Sequence, residues 1–170
     1  MYVKPKFSLY RLLKVVFYLP GTIAHELLHY IFALLFARDV TRFNVMPNFQ
    51  EGTAGSVHYR SRNGASSILI SFAPKLYWVF LIYFLSHVSI LSLDYEGLSC
   101  TLDISHVNWR NPLTLASVYL ITQFIWAGTL STQDWKNIFQ GAFTVSGLLL
   151  IFVTAIVSIV LIKNIPLVVL

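Results

Sequence analysis

The chain holds 170 residues, of which 56% are apolar or aromatic (AVILMFWYC) and only 11% charged, with a mean hydropathy of +0.69. A soluble domain carries about 25% charged residues, so this chain lacks the charge to cover a water-facing surface, and the same figures exclude intrinsic disorder. A single cysteine, Cys100, excludes an internal disulfide scaffold. The net charge of +5 comes from Lys and Arg at the edges of apolar runs: Lys4, Lys6, Arg11 and Lys14 before the first, Arg38 and Arg42 after it. That placement is typical of lipid-headgroup anchors and not of a clustered nucleic-acid-binding face. The composition therefore predicts a multi-pass integral membrane protein: an all-α bundle forming one domain over 1–170, with the lipid bilayer as partner and no nucleic acid.

Four apolar stretches approach the ~20 residues needed to cross ~30 Å of hydrocarbon. They are Val15 to Ala37, Ser66 to Leu93, Pro112 to Leu130 and Ala142 to Ile162. A backbone in hydrocarbon satisfies its own hydrogen bonds as helix, so four transmembrane helices are expected. Pro20-Gly21-Thr22 interrupts the first run. One reading makes Phe7 to Leu19 an amphipathic or tilted lead-in, with a new helix from Thr22. The second run is too long for an upright span, and Pro74-Lys75 offers a break. Ser66 to Ala73 is then a half-helix and Leu76 to Leu93 the span, with Tyr77 and Trp78 as interfacial anchors. Between these runs, Arg38 to Ala65 is polar. Extended segments flank Glu51-Gly52-Thr53-Ala54-Gly55, as in a hairpin. Asp94 to Asn111 shows no clear periodicity, and Ser131 to Gln140 reads as a short polar insertion. The basic, then apolar N-terminus could be a signal peptide, but His25, Glu26 and His29 lie inside its apolar part and no small-x-small site follows closely. Lys and Arg counts on alternate sides are nearly equal, so they assign no orientation.

The chemistry is concentrated in His25-Glu26-Leu27-Leu28-His29. Histidines at i and i+4 stand one above the other on a helix face, about 6 Å apart along the axis. Both imidazoles can then reach one tetrahedral Zn²⁺ at about 2.0–2.1 Å. Glu26, about 100° further round the helix, can serve the attacking water as general base without occupying the metal. Ionisable residues within a membrane span are expensive and usually functional. Three of them in five residues need a partner that offsets their burial, and a metal ion is the simplest.

Catalytic zinc needs a third protein ligand and an open position. Asp134, in Ser131-Thr132-Gln133-Asp134-Trp135, is the first candidate. The residues alone support equally a capping role for Asp134 or Ser131 at a short helix start. Glu51, His58, His87, Asp94, Glu96 and Asp103 are rivals. His87 also reads as a helix-end histidine bonded to a carbonyl, and His58 and His106 as surface residues.

Pro20 to His29 resembles the first motif of the membrane-embedded zinc metallopeptidases related to site-2 protease. The resemblance implies a transmembrane HExxH helix, a short β-hairpin after it, and an Asp from a later span as third ligand. The order of segments here is similar, and Asp134 in Ser-Thr-Gln-Asp resembles the Ser-x-x-Asp motif of compact members. The Asn-x-x-Pro and Leu-Asp-Gly motifs of site-2 protease itself are absent. Ser71-Phe72-Ala73-Pro74 is the segment that could do comparable work.

The expected protein is thus a membrane zinc endopeptidase with His25, His29 and Asp134 as ligands and Glu26 as general base and then acid. Its expected substrates are membrane-associated proteins or peptides. Two other readings compete: a non-catalytic metal sensor or transporter, and a structural protein whose His-Glu-His cluster only pairs helices.

Overall fold

The computed structural model describes residues 9–45, 55–88, 90–94 and 99–164. Helix α1 (Leu9–Phe36) leads into a hairpin of β1 (Ala37–Asn44) and β2 (Ser56–Ser61). Helix α2 (Gly64–Phe72) passes through a 3₁₀ turn (Ala73–Lys75) into α3 (Leu76–His87). A second hairpin, β3 (Leu91–Asp94) and β4 (Ser99–Leu102), precedes α4 (Pro112–Ala127), α5 (Thr132–Ala142) and α6 (Val145–Asn164). The molecule is mostly helical. Two helical stretches are long and apolar enough to cross a membrane, Val15–Phe36 and Gly64–His87. The pair α4 and α5, bent by 42° at its break, makes a third if counted as one span.

Several sequence expectations are corrected. Helix α1 runs through Pro20 without ending, because groups on α4 take up the neighbouring backbone. The break expected at Pro74 is present as the 3₁₀ turn between α2 and α3, which starts at Leu76 as expected, but α3 alone is too short to cross and only the whole stretch Gly64–His87 is long enough. That stretch stops at His87. Leu91–Leu93, expected as the end of the second span, belong instead to strand Leu91–Asp94, which pairs antiparallel with Ser99–Leu102 from the segment without clear periodicity. The third run ends at Ala127, and the polar insertion after it is itself helical, as α5. Tyr77 is not a free interfacial anchor: its hydroxyl donates to Ala24 O at 2.9 Å.

The interior inverts that of a soluble protein. Its buried apolar residues are mostly small (Ala33, Ala37, Ala73, Ala127, with Ile70), beside buried Thr22, His29, Ser66, Ser71, Gln123 and Asp134. Large apolar side chains point outward, among them Leu148, Phe152 and Ile159 of α6. Small residues let helix backbones approach, which is how helices associate when lipid is as apolar as the core. A Cβ on Gly64 would strike Thr144 Oγ1 and lie 2.6 Å from Gly141 O, so α2 and α5 meet backbone to backbone.

Helix α1 is central, touching α2, α4 and the first hairpin, while α2 packs on α5 and α6. The hairpin matches the expected one. Its register runs from Ala37↔Ser61 to Asn44↔Ser56, with irregularities at Ala37/Asp39 and Val40/Arg42. Arg62 Nε donates to Ala37 O at 2.9 Å and ties its base.

Candidate metal centre and its cleft

The helical spacing of His25 and His29 stacks their imidazoles edge-on, with ring centroids 4.6 Å apart. Each ring is oriented from behind by a backbone carbonyl. His25 Nδ1 lies 2.9 Å from Ala127 O, and His29 Nδ1 lies 2.8 Å from Ile70 O. A carbonyl only accepts, so both Nδ1 atoms carry a proton, and each imidazole in its neutral form presents a lone pair at Nε2. Ala127 is the last residue of α4 and Ile70 lies in the last turn of α2. Helix C-termini leave carbonyls without intrahelical partners, as at Ala127, whereas Ile70 O, where α2 passes into the 3₁₀ turn, accepts from Ala73 N–H as well as from the imidazole.

The break between α4 and α5 brings the third group. Ser131 caps α5 and Asp134 stands at N3, each bonding the other's backbone N–H. Asp134 Oδ2 accepts from Ser131 N at 2.7 Å and from Ser131 Oγ at 2.6 Å. The same carboxylate faces both histidines, with Oδ1 3.1 Å from His29 Nε2 and Oδ2 3.5 Å from His25 Nε2. The capping and ligand readings of the Ser-x-x-Asp segment are therefore compatible: the cap holds the carboxylate where it meets the imidazoles. A helix N-terminus also favours a negative group.

The donor set fits a metal ion. The two Nε2 atoms lie 3.1 Å apart, and with both rings neutral two acceptors cannot hold that approach by hydrogen bonding, whereas a shared cation can. Tetrahedral ligands at about 2.0–2.1 Å from zinc are separated by about 3.3–3.4 Å; the Nε2 atoms are 3.1 Å apart, and each has a different Asp134 oxygen at 3.1 or 3.5 Å, close to that spacing. Among the described residues, the group of His, Cys, Asp and Glu that converges in this way is His25, His29 and Asp134. The remaining candidates do not join it. His87 stacks on Tyr83, and Asp103 is held in its own turn by Ser105 N and Oγ at 2.9 and 2.6 Å. Those Ser105 bonds hold the Asp103 carboxyl below the usual range. Asp94 is strand residue in β3, while Glu51 and Glu96 lie outside the described residues.

Around the trio opens a cleft of about 1290 Å³, larger than the ~300–1,000 Å³ of small-ligand pockets. One wall is the unbroken run Gly55 to Ser61; the other includes Ser131, Asp134, Asn137 and Gln140. Glu26 and His58 also line it. Gly55 is held tight against Glu26: a Cβ there would lie 2.6 Å from Glu26 Cγ. Tyr59 joins the walls, its hydroxyl 3.2 Å from Ser71 Oγ and accepting from Asn137 Nδ2 at 3.4 Å. Burial pushes the Tyr59 phenol above its ordinary value, so it stays a neutral hydrogen-bonding group. Ser71, fully buried, thus supports the cleft through Tyr59 and directly follows the carbonyl that holds His29. Sequence reasoning passed over Tyr59, Asn137 and Gln123. Gln123 alone carried a signal, as an amide inside an apolar run.

No curated protein and no solved structure matches this chain. The family described as Peptidase M50B-like matches it over residues 4–166. A match spanning nearly the whole chain, over a bundle that brings an HExxH helix and a distant Asp together, places the protein in the Peptidase M50B-like family.

Proposed function

We propose that the protein is a zinc-dependent endopeptidase that cleaves membrane-associated proteins or peptides, with His25, His29 and Asp134 as metal ligands and Glu26 as the proton carrier. The observation that carries this reading is the pair of Nδ1–H bonds to Ala127 O and Ile70 O, which leaves two Nε2 lone pairs and one carboxylate facing a common point. Metal-binding histidines typically donate their second N–H to a carbonyl or carboxylate in this way. When bound, zinc supplies Lewis acidity, polarising a carbonyl and acidifying water towards a pKa of about 7.

The residues do the rest. Glu26 follows His25 on α1 and faces the cleft, so its carboxylate is placed to accept a proton from the attacking water. The same carboxylate then returns that proton to the leaving amine nitrogen. Seven successive residues of one wall offer an extended backbone surface, against which a peptide can lie as a further strand. Helix α6 adds a fourth crossing: its 20 residues measure about 30 Å, and beyond its first turn, where Ser146 and Gly147 meet α2 and α5, its described side chains are mostly exposed and apolar. Glu26→Gln tests the assignment. The expected result is full zinc content with proteolysis lost, whereas unimpaired proteolysis refutes it.

A further inference from the structure

Phe17, Gly21 and His25 stand at four-residue intervals on α1, and Tyr119, Gln123 and Ala127 at the same intervals on α4. Each pair is hydrogen-bonded. Tyr119 Oη donates to Phe17 O at 3.0 Å, Gly21 N–H to Gln123 Oε1 at 3.0 Å, and His25 Nδ1–H to Ala127 O at 2.9 Å. The sequence separation is 102 residues each time. The two helices therefore run parallel and in step, with rungs about 6 Å apart. Trp126 Nε1 adds a contact to Thr22 Oγ1 at 3.4 Å.

The lower rungs sit where α1 is weakest. Pro20 brings no N–H and its ring crowds the preceding turn. In a regular helix the Gly21 N–H bonds the Phe17 carbonyl. Here each of those two groups has a partner on α4. Gln123 is only 5% exposed, and its Nε2 has no partner among the described residues. A methionine would fill the same volume without burying an amide, so the Oε1 bond is what the glutamine contributes. Gly21 admits no side chain: a Cβ would lie 2.9 Å from both Gln123 O and Trp126 Cδ1.

We propose that Gln123 is a positioning residue for the metal centre, setting the height and rotation of α1 against α4 and thereby the placement of the His25 imidazole one turn above Gly21. The proposal rests on the reading of His25 as a ligand. The coupling follows from geometry. His25 is held on one side by α4 through Ala127 O and faces Asp134, which follows the bend after α4. A slip of α1 by one residue moves His25 by about 1.5 Å and 100°, which removes Nε2 from the carboxylate.

The test compares the full-length protein with Gln123→Met, Gln123→Glu and Tyr119→Phe, all purified in detergent. Zinc affinity is measured by chelator competition, metal geometry by the visible absorption of the Co²⁺-loaded protein, and kcat and KM separately. Gln123→Met is expected to bind zinc about tenfold more weakly, the lower end of what groups supporting a ligand cost. Its Co²⁺ bands shift, and kcat falls with KM unchanged. Gln123→Glu, which keeps an oxygen facing Gly21 N–H, restores the bands and the affinity. If Gln123→Met does not fold, Tyr119→Phe decides, through a weaker zinc affinity than wild type with the same direction of band shift. Wild-type affinity and bands in the deciding variant overturn the ladder while leaving the metal reading intact. A wild-type protein that takes up neither Zn²⁺ nor Co²⁺ overturns both.

Discussion

Gly55→Ala isolates the proton carrier from the metal ligands. A Cβ at this position lies 2.6 Å from Glu26 Cγ and 3.2 Å from Glu26 Cδ. Carbon atoms rest comfortably at about 3.5–4.0 Å, so one side must retreat by about 1 Å. The strand is poorly placed to do so, because the same Cβ lies 3.3 Å from Asn44 O. The Glu26 side chain therefore yields, and a misplacement of about 1 Å costs on the order of 100-fold in rate. The expected result is kcat reduced about 100-fold in proteoliposomes, with zinc content by elemental analysis unchanged, since Glu26 is outside the converging trio. Undiminished kcat would refute the claim that Glu26 works from this position. Loss of zinc together with activity would refute the division of labour between Glu26 and the ligands.

Ser131→Ala removes the Oγ that accepts from Asp134 N–H and donates to Asp134 Oδ2, leaving only the backbone N–H of residue 131 to orient the carboxylate. It is expected to cost about 1 kcal/mol of stability and to weaken zinc binding about 10- to 100-fold, measured by thermal melting and chelator competition. Asp134→Asn keeps an acceptor for the cap but removes the charge, and is expected to emerge from gel filtration without zinc; retained stoichiometric metal would move the third-ligand assignment elsewhere. Stripping zinc from the wild type lowers its melting temperature, because ligand at 100 times Kd stabilises a fold by about 2.7 kcal/mol; an unchanged melt with and without zinc contradicts a site that joins α1 to α5. Gly64→Ala forces a methyl group into Thr144 and Gly141 and is expected to cost about 1–3 kcal/mol in a thermal melt, a cost that vanishes if α2 and α5 are not in backbone contact.

Local rules were enough for much of this molecule. Low charge and long apolar runs dictate a lipid environment whatever the tertiary arrangement, because the cost of burying charge is set by composition. The i, i+4 histidines meet on any helix, since the helical repeat alone places them. Ser131-Thr132-Gln133-Asp134 reads as a helix start because its bonds are three residues apart. The first hairpin is likewise local.

What sequence could not supply was long-range or a matter of alternatives of nearly equal energy. Pro20 breaks an isolated helix but not this one, since Tyr119 and Gln123, 102 residues away, take up the groups beside it. Leu91–Asp94 is apolar enough for helix and becomes strand only because Ser99–Leu102 pairs with it. Above all, the meeting of Asp134 with His25 and His29, and the carbonyls of Ala127 and Ile70 that turn both imidazoles, depend on where separate helices end. Residues fix what each helix can offer a cation; only the packing of α1 against α2, α4 and α5 brings those offers to one point.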